Sequence, residues 1–122
     1  MTRIIKFRAW NKKERIIELV CGIVWDDFAT DKIQDLNIGA SYHDSIDGFE
    51  LMQYTGLKDK NGKEIWEGDI VDAPDHCGKE VVIYGPPNFA GAWCVGAWLL
   101  GTIDDTDIEI IGNIYENPEL LK

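Results

Sequence analysis

Four groups of side chains in this sequence are of types that do chemistry. The first is the adjacent pair His76 and Cys77, with Asp72 and Asp75 just before it and Cys21 and Cys94 elsewhere in the chain. Imidazole, thiolate and carboxylate are the ligands zinc takes, but zinc sites space them so that each side chain can turn inward. No CxxC or HExxH spacing occurs here, so a solvent-facing loop is the simpler reading. The second group is a Cys-His nucleophile, Cys77 with His43 as base and an aspartate to orient it. That chemistry needs a deprotonated thiol, and nothing in the sequence activates Cys77. Cys21 and Cys94 sit in apolar stretches and read as small core residues; His43 reads as a loop histidine.

The third group is Glu67 and Asp69, flanking Gly68. The two carboxylates could act as an acid/base pair or hold a divalent cation through oxygen. The competing reading is that both shape a turn, with Asp69 accepting from local backbone amides. The fourth is Asp104, Asp105 and Asp107, which lack the EF-hand spacing and read as a solvated turn. No phosphate-cradling glycine loop is present. The expectation is therefore no catalytic, cofactor-binding or metal residues and no cofactor, hence a chain that is not an enzyme. An enzyme with an unrecognised site stays open as an alternative.

The elements that would position these residues are organised around residues 53–71, QYTGLKDKNGKEIWEGDIV. Asn61-Gly62 predicts a hairpin with a type I′ turn, since both residues tolerate positive φ. Ile65 and Trp66 supply strand bulk. Gly68 is expected to take a left-handed conformation in a second turn. Upstream, residues 4–10 read as a strand, with Ile5, Phe7 and Ala9 on one face. Residues 15–25 read as its hairpin partner, with Ile17, Leu19, Cys21, Ile23 and Trp25 on one side and Ile16, Val20 and Val24 on the other. A strand apolar on both sides implies partial cover on both. Residues 26–38 are the one plausible helix, capped by Asp26 or Asp27 and striped by Phe28, Ile33 and Leu36. An irregular loop is the alternative.

Downstream, residues 73–79 read as a loop, 79–84 as a strand and 85–88 as a Gly-Pro-Pro loop. Residues 92–100 read as one buried strand with Trp93 and Trp98 on opposite faces and a bulge at Gly96. Residues 108–111 read as a further strand, and Asn117 is expected to cap a helical turn begun at Pro118. Trp66, Trp93 and Trp98 are assigned to the core; Trp10 and Trp25 could serve an interface. The fold class is mainly β, β-rich α+β at most: an N-terminal hairpin (1–25), an irregular or short helical segment (26–48), and an SH3-like, small-barrel type body (49–122). All of it fits one domain of 122 residues.

Charge divides the chain. Residues 1–20 carry six basic and two acidic side chains, a net +4, while residues 21–122 carry six basic and twenty acidic, a net −14. The basic start could dock on the acidic body within or between molecules. The acidic surface could instead imitate DNA toward a nucleic-acid-binding protein. A sequence pI near 4.5 opposes direct nucleic-acid binding. Three cysteines without pairing spacing point to a reducing compartment. The start is charged and alternating rather than signal-like, and the longest apolar run falls far short of a membrane span. The expectation is a cytoplasmic chain whose partners are itself and another protein.

Three stretches carry a family resemblance. FRAW at residues 7–10, the central residues 53–71, and IGNIYENPELL at residues 111–121 resemble, in order, the signatures of the YopX family of phage- and prophage-encoded proteins. The resemblance implies a YopX-like β fold and a phage setting, in which the expected protein partner is a host or phage protein and the target of a DNA mimic would be a host nucleic-acid-binding protein. It carries over no catalytic residue.

Overall fold

Strand-forming side chains and turn residues alternate along nearly the whole chain, and the structure follows them. A computed structural model describes residues 4–26, 32–38, 43–85, 92–96 and 98–121. The chain groups into two compact units, residues 1–53 and 54–122.

The first unit begins with the predicted hairpin, β1 (Phe7–Asn11) against β2 (Ile16–Trp25). Asn11 closes the turn, its Oδ1 accepting from the amides of Lys13 and Glu14 at 3.1 and 3.0 Å. Arg15 completes it at φ 59°, a left-handed conformation unusual outside glycine. β3 (Ile33–Ile38) and β4 (His43–Ser45) add to one side and β5 (Phe49–Lys58) to the other, all antiparallel, in the order β4-β3-β2-β1-β5. A 3-10 turn, Ile46–Gly48, joins β4 to β5. Ala9, Leu36 and Phe49 are buried on the core face, with Val20, Ile23 and Ile46 packed against them.

Two expectations fail in this unit. Residues 33–38 form a strand rather than the second half of a helix; residues 27–31 lie outside the described residues. The stripe of Ile33 and Leu36 is satisfied by pairing with β2, where Leu36 lies opposite Ile23. The two-sided assignment of β2 also fails, because the β2–β3 register shifts between Val20 and Gly22. Such a bulge changes the pleat phase by one residue, so Val20 and Ile23, three apart, share the core face. Cys21 falls at the shift and is exposed rather than a core residue.

In the second unit, the latter half of β5 pairs β6 (Glu64–Trp66). A five-stranded antiparallel sheet then runs β10 (Trp98–Leu99), β9 (Trp93–Val95), β8 (Gly78–Tyr84), β7 (Asp69–Ala73), β11 (Glu109–Asn113), so the last strand returns beside β7. Ile65, Val71, Val82, Val95, Leu100 and Ile108 form its core. The fold is mainly β, as expected. The stretch at 92–100 is not one strand: Gly96, at φ 59°, turns the chain between β9 and β10, and Val95 pairs with Trp98. Trp98 is 42% exposed instead of buried, whereas Trp66 is buried and Trp93 packs on the core.

Candidate functional site

The central stretch is pinned by two buried carboxylates. Asp59, 3% exposed, accepts the Asn61 and Lys63 amides on Oδ1, both at 2.9 Å, and the Ile110 amide of β11 on Oδ2, also at 2.9 Å. Burial pushes its pKa up, but the amides of Ile110, Lys63 and Asn61, with the Lys63 charge, outweigh burial and hold it below the usual value. The turn itself is not type I′. Only Gly62 takes positive φ, at 78°, and its amide bonds Asp59 O at 3.0 Å while the Asp59 amide bonds Lys63 O at 2.9 Å. That is the three-residue loop with a left-handed glycine. Asp69 shapes the next turn as the turn reading expects: its Oδ2 accepts from the Trp66 amide at 2.8 Å, and Gly68 sits at φ 87°.

The structure brings several sequence candidates together. Asp72, Asp75 and Asp107 line one cleft of about 190 Å³, with Lys60, Thr106 and Glu109. Beside it, His76 Nε2 stands 3.6 Å from Asp107 Oδ2. The imidazole meets Trp98 edge-on, with ring centroids 5.0 Å apart. Its Nδ1 is buried with no hydrogen-bond partner among the described residues. Cys77 is the wrong kind of thiol for a nucleophile. Burial raises its pKa, and the charges of Glu80 and Asp72 raise it further, against a lowering contact with its own backbone. Among the described residues, no group of three His, Cys, Asp or Glu side chains is placed to hold a metal ion.

The remaining candidates serve local structure. Asp104 caps the 3-10 turn Asp105–Asp107, accepting from the Thr106 amide at 3.0 Å and hydroxyl at 2.8 Å. Those bonds, with one from Asp105, lower its pKa. Cys94 is buried, as expected. His43 falls on β4 of the first unit rather than in a loop. Asn117 precedes the 3-10 turn Pro118–Leu121, but its Oδ1 turns back to the Asn113 amide at 3.3 Å.

In the first unit the distinctive feature is exposed apolar bulk on β2: Leu19 at 67%, Trp25 at 49% and Ile16 at 47%. Ile16 pairs with Asn11 and Leu19 with Arg8. Cross-strand partners share a face and neighbours alternate, so Ile16 and Leu19 emerge on opposite faces. Lys12 ties the hairpin turn down, with Nζ 3.2 Å from Glu50 Oε1 and its amide 3.0 Å from Gly48 O.

These strands, in this order and with the three sequence signatures placed on β1, on β5 to β7 and on β11 with the turn after it, agree with a known family. The family described as YopX protein matches residues 6–122. The chain belongs to the YopX family. Protein EF1440 from Enterococcus faecalis, a crystal structure, is 27% identical over 99% of this chain and 100% of that one, with a TM-score of 0.72. Protein yopX from Bacillus subtilis, also a crystal structure, is 19% identical over 96% of this chain and 95% of its own, with a TM-score of 0.57; at that identity the YopX likeness is one of fold. No curated protein matches the sequence. No helix among the described residues is long and apolar enough to cross a membrane.

Proposed function

We propose that this YopX protein is a phage- or prophage-encoded accessory protein that acts by binding protein, a second copy of itself or a host or phage partner, and does not turn over a substrate. The family resemblance supplies the phage setting. The observation that carries the binding role is β2, which holds Leu19, Trp25 and Ile16 in solvent. Large apolar side chains left exposed cost free energy of about 25 cal/mol per Å² that an interface recovers. Leu19→Ser and Trp25→Ser test the reading by light scattering over a concentration series and by capture from host lysate. The unsubstituted chain should self-associate or retain a protein, and the variants should lose it. Wild type and variants behaving alike in both assays would sink the proposal.

A second reading, an acidic DNA mimic, is favoured by one arrangement. Residues 54–122 hold thirteen acidic and five basic side chains, a net −8, and four carboxylates converge on the cleft at Asp72, Asp75, Asp107 and Glu109. It predicts binding to a nucleic-acid-binding protein that duplex DNA competes away and that fades above ~0.15 M salt. Salt-independent binding removes it.

A further inference from the structure

We propose that the first unit carries a small-molecule site that takes a zwitterionic ligand of the amino-acid type, an ammonium or guanidinium group with a carboxylate on a short apolar stem. The site is an open cleft of about 390 Å³ lined by Asn11, Lys13, Glu14, Glu18, Ser45 and Phe49. That volume falls in the range of ligand clefts, which are mostly preformed and carry a few fixed polar groups.

Register places the floor on one face. Asn11 lies opposite Phe49, and Ala9, two residues along β1, lies opposite Glu18. Asn11, Glu18 and Phe49 therefore point the same way. The buried Phe49 ring offers the apolar contact. Asn11 Nδ2 donates to Glu18 Oε2 at 3.1 Å, which orients that carboxylate while its other oxygen can accept from a ligand. The walls are held as well. Asn11 fixes the amides of Lys13 and Glu14, and Ser45 Oγ accepts the Asp47 amide at 3.3 Å to shape the opposite turn. The Lys12 amide bonds Gly48 O across the two.

The charges decide the ligand class. Two carboxylates, Glu14 and Glu18, and one ammonium, Lys13, line the cleft. A cation is attracted to the carboxylates, and the Lys13 charge at the same cleft can pair a carboxylate on the same molecule and disfavours a second cation. A plain dianion meets the carboxylates and is rejected. Of the exposed β2 side chains invoked for protein binding, Ile16 pairs with Asn11 and shares the face of this site, whereas Leu19, paired with Arg8, points to the other face, so Leu19→Ser tests protein binding without touching this cleft.

The test is amide chemical-shift titration of the full chain with arginine, with agmatine, which lacks the carboxylate, and with succinate. The expected result is saturable shifts at Asn11, Glu18 and Gly48 with arginine, at a dissociation constant of ~1 mM or below. Agmatine should bind several-fold weaker, and succinate should leave these amides unmoved. Glu18→Gln keeps an oxygen for Asn11 and removes the charge, so it should weaken arginine ~10-fold while the remaining spectrum is preserved. Lys13→Met should erase the preference for arginine over agmatine. Absence of saturable shifts with arginine, or an affinity unchanged in Glu18→Gln, overturns the proposal. Equal response to all three compounds does so too.

Discussion

Replacing Asp59 with alanine removes a carboxylate that accepts from three backbone amides. Three amides lose their acceptor at once. Those of Asn61 and Lys63 stand in an exposed turn and can turn to water, each loss costing about 0.5–1 kcal/mol. The Ile110 amide is part-buried and left without a partner, which costs about 1–3 kcal/mol. The sum is about 3 kcal/mol, or roughly 10 °C in melting temperature for a chain of this size. Asp59→Asn keeps one oxygen but turns an NH2 toward an amide, so it should cost about 2 kcal/mol. Urea unfolding measures both, and hydrogen exchange at the Ile110 amide gives a local reading. The pH dependence has a fixed sign. The folded-state pKa of Asp59 lies below the ordinary aspartate value of about 3.8, so its contribution is complete above that value and is lost as pH falls through the folded-state pKa. The gap between wild type and Asp59→Ala should therefore hold steady at neutral pH and close in strong acid. A cost under about 0.5 kcal/mol at neutral pH, within the scatter of ordinary surface substitutions, refutes the reasoning, as does a gap that persists unchanged at the lowest pH.

Three further outcomes are expected. A Cβ at Gly112 would lie 2.6 Å from Asn117 Oδ1 and 2.9 Å from its Cβ, so Gly112→Ala should cost about 1–3 kcal/mol. Adding Asn117→Gly should return most of that in a double-mutant cycle of urea melts; strict additivity counts against the contact. Gly68, at φ 87° with its amide bonded to Val82 O and its carbonyl to the Ile114 amide, cannot relax, so Gly68→Ala should cost about 1–3 kcal/mol by thermal melting. Alkylation of the native chain, read by peptide mass spectrometry, should modify Cys21 first, Cys77 slowly because burial keeps it a thiol, and Cys94 last; early labelling of Cys94 contradicts its burial.

What the sequence by itself determined is what neighbours along the chain decide. Asn61-Gly62 and Gly68 mark turns because glycine tolerates positive φ wherever it sits, and Asp69 reaches an amide only three residues away. Alternating side chains between such turns made the β1–β2 hairpin, the Lys79–Tyr84 stretch and the mainly β class readable, and three ordered signatures made the family readable. What only the tertiary structure decided depends on partners far along the chain. Residues 33–38 are a strand because β2 pairs with them, not because of their own pattern. Cys21 is exposed because a register shift re-phases the pleat, and no local property of Cys21 encodes that shift. Asp59 reads as a wet turn residue until β11, 51 positions on, brings the Ile110 amide to it. The cleft carboxylates from β7, the loop after it and the segment at 107–109 converge by the same cause: backbone conformation is a local choice, whereas burial and pairing belong to the whole fold.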